Sequence, residues 1–147
     1  MYHQKQQSNP IGWRSLIGGL CLFMAGVQAE ELTESPVPEA YVARAMFTTG
    51  IVDREPVDQV VSLGPDQDTV YFFTDLRNLQ GRTVTHRWEF EGQFIGQISF
   101  KVGGPRWRVY SKRTLNPGDS GKWTVLVLDE SGWPLHASIF MQGTQPE

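Results

Sequence analysis

The amino-acid sequence contains little cysteine, little histidine and no long apolar run. Its 147 residues include one cysteine and three histidines, and no apolar stretch reaches the about 20 residues that a membrane-spanning helix requires. One cysteine excludes a framework of disulfide bonds, and so few cysteine and histidine side chains exclude a zinc site built from them. We therefore expect a fold that is stabilised by packing alone and that holds no metal and no cofactor.

The charge of the chain also limits the classes of partner. The formal net charge is −3, with 20% charged and 39% hydrophobic residues, which is typical of a globular domain. If residues 1–29 are removed, Lys5 and Arg14 leave with them and the net charge becomes −5. A nucleic-acid-binding protein normally carries a basic field that neutralises phosphates, so we expect no nucleic-acid partner.

Residues 1–29 have the pattern of a secretory signal peptide. Lys5 and Arg14 give a basic start, an apolar run extends from Leu16 to Val27, and Val27-Gln28-Ala29 offers small residues to signal peptidase. We expect cleavage after Ala29, a periplasmic or secreted product, and no stable membrane span in that product. Retention of the segment as an uncleaved anchor is the alternative, although the apolar run is shorter than a spanning helix needs.

The remaining sequence divides into an acidic linker and one domain. Residues 30–41 are acidic, contain Pro36 and Pro38, and have neither a helical nor a strand period, which indicates a linker. Residues 42–147 contain short runs rich in β-branched and aromatic residues, separated by glycine, proline and aspartate, and this pattern predicts an all-β domain. The seven runs are Val42 to Ile51, Thr69 to Asp75, Arg82 to Glu91, Phe94 to Val102, Arg106 to Lys112, Lys122 to Asp129, and Trp133 to Met141.

Alternation along the third run predicts which of its side chains face the core. Val84, His86, Trp88 and Phe90 alternate with polar residues, so this row should point inward. On such a row, a neutral imidazole that is hydrogen-bonded to the backbone is the usual outcome, and we expect His86 to be structural. Trp88 and Trp123 lie on the most apolar rows, and we expect both indoles in the core.

The third and fourth runs are expected to form a hairpin with a three-residue loop, Glu91-Gly92-Gln93. In that register Phe90 lies opposite Phe94, and Arg87 lies opposite Gln97. The pairing places the apolar residues of the fourth run on the core side. These residues are Phe94, Gly96, Ile98, Phe100 and Val102.

The last two runs are expected to form a second hairpin around Glu130-Ser131-Gly132, with Gly132 in the left-handed conformation. The sixth run is apolar on both faces, which indicates a central or doubly covered strand. The segment from Pro117 to Trp123 resembles the corner that enters strand F of immunoglobulin-like domains, with tryptophan in place of the usual tyrosine. We predict an immunoglobulin-like antiparallel β-sandwich of about seven strands, with a small β-barrel as the alternative.

Three stretches of the chain carry distinctive combinations of residues. The stretches are Phe47 to Asp58, Val70 to Trp88 and Pro105 to Asp129, and their most specific pieces are Arg54-Glu55-Pro56-Val57, Thr85-His86-Arg87-Trp88, Trp107-Arg108 with Ser111-Lys112, and Gly121 with Trp123. Together they resemble a bacterial family known as domain of unknown function 2914 (DUF2914). The resemblance implies a small β-rich domain that is exported or tethered next to a membrane segment, and it supplies no catalytic residues because the family has no agreed activity.

The fifth run is the richest in charged and aromatic residues. In an extended strand one face carries Arg106, Arg108, Tyr110 and Lys112, which we call the basic stripe, and Arg113 adds a further charge. Guanidinium groups bind anions bidentately, so the stripe suits an acidic polysaccharide, an anionic lipid head group or an acidic protein surface. The alternative is a solvated strand whose charges pair with acidic neighbours. The acidic candidates are Glu89, Glu91 and Asp129.

Three further features concern single side chains or pairs. Trp133 lies at the expected tip of the last hairpin, so we expect an exposed indole that could contact a sugar or a protein. Glu89 and Glu91 project to one face of the third run and could serve as paired carboxylates on a glycan. Arg54 and Glu55 are expected to form a local ion pair that contributes little to stability.

These observations favour an exported, non-enzymatic binding or interaction module of the bacterial envelope that acts through the basic stripe and Trp133. The expected partner is an envelope protein or an anionic polysaccharide. The first alternative is a polysaccharide-binding or polysaccharide-active accessory protein that uses Trp133 with Glu89 and Glu91. The second alternative is a structural, self-associating domain whose edge strands pair with another chain.

Overall fold

The computed structural model describes residues 37–143 of the protein. The predicted signal peptide lies outside the described residues, as does the predicted linker up to residue 36. Within residues 37–143 the chain forms ten β-strands and no helix. The strands are β1 (Tyr41–Thr48), β2 (Ile51–Val52), β3 (Glu55–Pro56), β4 (Ser62–Leu63), β5 (Thr69–Arg77), β6 (Thr83–Phe90), β7 (Gln93–Lys101), β8 (Arg106–Thr114), β9 (Gly121–Leu128) and β10 (Pro134–Gln142).

Seven long strands form two sheets that pack face to face. The three-stranded sheet has the order β1-β5-β8, and the five-stranded sheet has the order β4-β10-β9-β6-β7. The long strands pair antiparallel, and the two-residue strand β4 pairs parallel with β10. The first, second and fifth long strands lie in one sheet, and the other four lie in the second. Both sheets have open edges, so the predicted β-sandwich is confirmed rather than the closed barrel.

The seven predicted runs correspond to the seven long strands, with ends that differ by three residues or fewer. The sixth run forms β9, which lies between β10 and β6 and is therefore central, as its apolar faces predicted. Gly132 has φ of 82° in the β9–β10 turn, so its predicted left-handed conformation is also confirmed. These features were predictable because they depend on local patterns of side chains and turns.

The core consists of aromatic and aliphatic side chains from the inward rows of both sheets. The ring of Phe47 on β1 lies 4.6 Å from that of Phe140 on β10 and 5.9 Å from that of Trp88 on β6. Trp123 is buried beside them, and its Nε1 donates a hydrogen bond of 2.8 Å to Gln142. The prediction that Trp88 and Trp123 belong to the core is confirmed, and burial of each large apolar side chain contributes roughly 1.5–3 kcal/mol.

The β6–β7 hairpin differs from the predicted geometry at its turn. The turn contains two residues, Glu91 and Gly92, with φ of 48° and 77°, as in a type I′ turn. Phe90 therefore lies opposite Gln93, and its predicted pairing with Phe94 was wrong. Glutamate seldom adopts the left-handed conformation that this turn requires, so the sequence pointed to a longer loop.

A β-bulge at Ile95 restores the predicted pairing of Arg87 with Gln97. The bulge turns Phe94 to the outer face, where it is 53% exposed and lies 4.9 Å from the guanidinium of Arg87. The predicted inward position of Phe94 was therefore wrong. Ile98 is also exposed, because β7 is an edge strand that pairs only with β6.

A short hairpin that the sequence did not predict follows β1. Its two-residue strands β2 and β3 are joined by Asp53 and Arg54, whose φ angles are 50° and 62°. Asp58 then ties the segment to the end of β1, because its Oδ1 accepts hydrogen bonds from Thr48 Oγ1 at 2.6 Å and from the Thr49 backbone N–H at 2.7 Å. The hairpin is thereby anchored beside the three-stranded sheet.

Candidate functional site

The outer face of the three-stranded sheet carries a cluster of arginines around two carboxylates. The strand register places Arg44 of β1 opposite Asp75 of β5, and Asp75 opposite Arg108 of β8. Arg77 and Arg106 form the next pair in the same register. Glu55 of the β2–β3 hairpin supplies the second carboxylate. We call this set the arginine face; its members are Arg44, Arg77, Arg106, Arg108, Asp75 and Glu55.

Asp75 is the buried centre of the arginine face, with only 1% of its surface exposed. Its Oδ2 lies 3.2 Å from Nη2 of Arg77, 3.2 Å from Nη2 of Arg106 and 3.7 Å from Nε of Arg44. The other oxygen, Oδ1, has no hydrogen-bond partner among the described residues. Since a buried carboxylate is stable only when it is well compensated, these three guanidinium groups account for its presence in the sheet.

Glu55 bridges two arginines from above the sheet. Nη2 of Arg44 lies 2.7 Å from Glu55 Oε2, and Nη1 of Arg108 donates to Glu55 Oε1. The hydrogen bond from Arg44, followed by that from Arg108, holds the pKa of the Glu55 carboxyl below its usual value. The predicted local pair of Arg54 with Glu55 was wrong, because β3 directs Glu55 to the arginines of β1 and β8.

A cleft opens next to the arginine face, at the free edge of β8. It encloses about 490 Å³. Its lining contains three arginines and no acidic residue among the described part of the chain. The lining residues are Arg54, Phe100, Arg106, Trp107, Arg108, Val109 and Tyr110. The cleft can therefore offer several guanidinium groups and a phenol to one anionic ligand.

Arg54 was not among the predicted site residues. It occupies the second turn position of the β2–β3 hairpin at φ of 62°, where such turns strongly favour glycine. The two turn residues are Asp53 and Arg54, and Asp-Arg is not a sequence that typically forms this turn. The sequence therefore gave no indication of the hairpin or of its position over the cleft.

The structure places the basic stripe on the outward face of β8, as its alternation predicted. Arg106, Tyr110 and Lys112 are exposed, Arg108 is half-buried, and the side chains between them point toward the core. The predicted ion-pair partners were wrong. Arg106 pairs with Asp75 and Arg108 with Glu55 rather than with Glu89, Glu91 or Asp129. Lys112 lies 5.9 Å from the ring of Tyr71 on the neighbouring strand β5.

Arg113 is separated from the basic stripe because it projects from the opposite face of β8. Its guanidinium lies 5.7 Å from the ring of Trp88 on the other sheet. A Cβ on Gly96 of β7 would lie 2.8 Å from Arg113 Nη2, so this glycine leaves room for the guanidinium. Arg113 thus extends toward the five-stranded sheet and lies apart from the basic stripe.

Trp133 is 69% exposed at the turn between β9 and β10, as predicted. Asp129 holds the turn rigidly, since its Oδ1 accepts the Trp133 backbone N–H at 2.9 Å and its own N–H donates to the Trp133 carbonyl at 3.0 Å. Hydrogen bonds from Ser131 and then from Trp133 hold the pKa of Asp129 below its usual value. Trp133 belongs to the five-stranded sheet, so it does not join the basic stripe in one site.

The paired carboxylates Glu89 and Glu91 are both engaged in local contacts. Glu89 lies 3.0 Å from Nε of Arg87, and Glu91 accepts the backbone N–H of Lys122 at the start of β9. Trp133 follows the other end of β9. Glu89 lies opposite Thr124 and Glu91 contacts Lys122, four and six residues before the end of β9, so at about 3.3 Å per strand residue the two carboxylates lie roughly 13 and 20 Å from that end and do not meet Trp133.

His86 is fully buried between the sheets. Its Nε2 lies 3.0 Å from Thr74 Oγ1, and its Nδ1 lies 2.9 Å from Ser111 Oγ. Burial lowers the pKa of His86 to about 3, so the ring is neutral at physiological pH. Ser111 Oγ also accepts the Nε1–H of Trp88 at 3.0 Å. The predicted structural role fits this environment, but the partners are side-chain hydroxyls and not the backbone.

Within residues 37–143, no three histidine, cysteine, aspartate or glutamate side chains are placed to hold a metal ion together. This range also contains no helix long and apolar enough to cross a membrane.

The described chain is thus an immunoglobulin-like β-sandwich with an arginine-rich outer face. Residues 81–141, which extend from the turn before β6 into β10, match a family described as a protein of unknown function, DUF2914. The match contains the whole stretch from Pro105 to Asp129 and begins inside the stretch from Val70 to Trp88, so the predicted resemblance is confirmed over these residues. No curated protein matches the chain.

Proposed function

We propose that this protein is an exported, non-enzymatic binding module of the bacterial envelope that recognises an anionic polysaccharide through the cleft at β8. The observation that carries the proposal is the acid-free lining of that cleft by Arg54, Arg106 and Arg108. Tyr110 and Trp107 line the same cleft, and aromatic rings of this kind stack on sugars. A carboxylate- or sulfate-bearing sugar chain combines both kinds of group.

The existing contacts leave donors for a ligand. Arg106 uses Nη2 for Asp75, and Arg108 uses Nη1 for Glu55, whereas a guanidinium has five N–H donors. The side chain of Arg106 is 54% exposed. Nη2 of Arg44 contacts both carboxylate oxygens of Glu55, which also indicates that a carboxylate fits against this face.

The conformation of Arg54 is a further argument for a role in binding. A left-handed backbone costs a residue with a side chain about 1–2 kcal/mol relative to glycine. Arg54 adopts this unfavourable conformation, with φ of 62°, and its guanidinium is the third one that lines the cleft. Strained positions of this type are concentrated at functional sites.

Export to the periplasm or the cell exterior is the part of the proposal that rests on the N-terminal sequence. It is supported by the basic residues Lys5 and Arg14, by the apolar run from Leu16 to Val27, and by the small residues before residue 30. N-terminal sequencing of the protein purified from cells tests it. A new N-terminus at Glu30 is expected, and an intact Met1 on a membrane-bound product would contradict it.

The binding proposal is tested by calorimetric titration of the full chain with polygalacturonate, a carboxylate-bearing polysaccharide. We expect binding that weakens as salt is raised, because exposed charge pairs are screened. Arg54→Gly should weaken binding severalfold, and Arg106→Ala should do the same. Lys122→Ala removes an exposed cation from the other sheet and serves as the matched control.

Three outcomes count against this site. Binding of equal strength to neutral dextran would contradict recognition of charge. Binding that Lys122→Ala weakens as much as Arg54→Gly would contradict the cleft as its location. Absence of binding to both polygalacturonate and a sulfated glycan would contradict the ligand class and shift the proposal to an acidic envelope protein.

A second candidate function, binding of a neutral polysaccharide, is favoured by Trp133. The rigid turn presents its indole beside a shallow groove of about 380 Å³ on the outer face of the five-stranded sheet. The groove offers side-chain hydroxyls and an amide from Thr83, Thr85, Gln97 and Ser99. Binding of dextran that is abolished by Trp133→Ala and unchanged by Arg54→Gly would support this second candidate.

A further inference from the structure

The two sheets expose four edge strands, and soluble proteins protect such edges against pairing with other chains. The edges are β1 and β8 in the three-stranded sheet, and β7 and β4 in the five-stranded sheet, where residues 134–140 of β10 continue the β4 edge because β4 pairs only with Met141 and Gln142. An unprotected edge offers a row of free backbone N–H and C=O groups to another strand. The protection of each edge therefore indicates where another chain can pair.

Three of these edges carry recognised protection. β1 has an irregular register between Val42 and Arg44 and carries the charge of Arg44. β4 contains only two residues, and the part of β10 that it leaves uncovered begins with Pro134 and has an irregular register between Pro134 and His136. β8 carries four cationic side chains, so two copies of it would bring like charges together.

Strand β7 has such protection only near its two ends, at the bulge at Ile95 and at Lys101. It contains nine residues, pairs only with β6, and has a single charged side chain, Lys101, at its end. Three large apolar side chains are exposed along it, on both of its faces: Phe94, Ile95 at 43% and Ile98 at 47%. The bulge at Ile95 interrupts only the part next to the turn, so residues 96–101 form a regular, accessible edge.

The hydrogen-bond pattern identifies the free backbone groups of this edge. The backbone N–H of Val102, just after β7, donates to the carbonyl of Arg82, just before β6, at 2.9 Å. Val102 therefore directs its backbone N–H toward the β6 side. In an antiparallel pair, alternate residues direct both backbone groups to the partner strand and the others direct them away. Alternation from Val102 therefore leaves the N–H and C=O groups of Gln97, Ser99 and Lys101 at the open edge.

We propose that two copies of this chain associate through antiparallel pairing of their β7 strands about a two-fold axis at Ser99. In this register Ser99 faces Ser99 of the second copy, and Gln97 faces Lys101. These pairs form six backbone hydrogen bonds, and the five-stranded sheets join into one sheet of ten strands.

The side chains support a second copy as the occupant of the edge. Ile98 of each copy lies opposite Phe100 of the other copy. The two-fold axis therefore gives two such pairs, in which apolar side chains meet on the same face. Each Lys101 lies opposite the uncharged Gln97, and no like charges come together. An edge of this composition and register is complementary to itself, as a two-fold interface requires.

The proposed dimer and the proposed binding site share one residue, Phe100, which lies on β7 and also lines the cleft. The arginines of the cleft belong to β8 and to the β2–β3 hairpin, and β7 is in the other sheet. Because a single pair of strands buries a small area, we expect a reversible dimer that dissociates on dilution rather than a permanent one.

Sedimentation equilibrium of the full chain over a range of concentrations tests the dimer. We expect a monomer–dimer equilibrium, and Ile98→Lys should weaken it at least tenfold because it places a charge on the edge. Ile139→Lys is the matched control, since Ile139 is 54% exposed on β10, on the opposite side of the five-stranded sheet from β7. A monomer at all concentrations, or a dimer that Ile98→Lys leaves unchanged, would overturn the proposal.

A second experiment tests the register. Hydrogen-bonded partners in an antiparallel pair have Cα atoms about 5.5 Å apart, a distance that a disulfide spans. In a Cys21→Ser background, Ser99→Cys should therefore give a disulfide-linked dimer under mild oxidation. Lys112→Cys on the β8 edge is the control. Equal cross-linking at both positions, or none at Ser99→Cys, would overturn the two-fold axis at Ser99.

Discussion

The Nδ1 atom of His86 lies 2.9 Å from the Oγ atom of Ser111, and this contact joins the two sheets of the sandwich. Ser111 Oγ also accepts the indole N–H of Trp88, while the other ring nitrogen of His86 contacts Thr74. A hydroxyl can donate or accept, so a neutral imidazole is satisfied on both nitrogens. The polar side-chain atoms of His86, Ser111 and Thr74 are thus paired within the core, so the effect of removing one of them on stability can be measured.

Ser111→Ala should lower the free energy of unfolding by about 1–3 kcal/mol. The substitution leaves the buried Nε1–H of Trp88 and the Nδ1 of His86 without their shared partner. Urea denaturation followed by tryptophan fluorescence measures the change. Ser138→Ala is the control, because its hydroxyl contacts the exposed His136, and a loss as large as that of Ser111→Ala would contradict this assignment.

Stability should fall as the pH is lowered from 6.5 to 5 because of His86. Burial lowers the pKa of His86 to about 3 in the folded protein, whereas a histidine in the unfolded chain titrates near 6.5. The unfolded state therefore binds more protons in this window, and the free energy of unfolding decreases by about 1.5 kcal/mol over it. Ordinary carboxyl groups remain ionised down to about pH 5, so they contribute little there.

The pH effect is measured by urea denaturation at several pH values between 7.5 and 5. His86→Gln should remove most of the slope, even if it also lowers stability at every pH. His136→Gln changes an exposed ring and should retain the slope. A slope that survives in His86→Gln would contradict the buried, neutral state of this side chain.

Arg54→Gly should raise the stability of the fold by about 0.5–1 kcal/mol. The substitution relieves the left-handed strain at φ of 62° and creates an Asp-Gly pair that suits a type I′ turn. Thermal denaturation measures the gain. Val52→Gly, in the adjoining strand, should instead destabilise, since glycine is unfavourable inside a strand.

The combination of this gain with a loss of polyanion binding would separate function from folding. A variant that is more stable and yet binds more weakly cannot have lost binding through unfolding. If Arg54→Gly instead lowers stability, the strain assigned to this turn is wrong.

Glu55→Gln should loosen the β2–β3 hairpin. The carboxylate contacts Arg44 and Arg108, which belong to different strands of the sheet, and a neutral amide attracts both guanidinium groups less strongly. Hydrogen exchange of the amides in residues 51–56 should become faster while exchange in β9 stays unchanged. Asp53→Asn removes one charge from the same hairpin and should have little effect, and equal acceleration in both variants would contradict the bridge.

The alternation of apolar and polar residues was sufficient to predict the strands and their inward rows. Val84, His86 and Trp88 are buried as a row because side chains on a strand alternate between its faces, which is a local property. The exposed position of Trp133 followed in the same way from its glycine-containing turn. Such features depend on residues that are close together in the chain.

The tertiary structure decided which distant groups meet. Asp75 pairs with Arg106 and Glu55 pairs with Arg108 because strand order and an unpredicted hairpin bring these groups to β8, and no local pattern encodes that neighbourhood. The bulge at Ile95 similarly turned Phe94 outward when a two-residue turn replaced the predicted loop. The sequence by itself thus determined the strands, their faces and the basic stripe, whereas long-range pairing determined the arginine face, the cleft and the open edge of β7, because these depend on contacts between segments far apart in the chain.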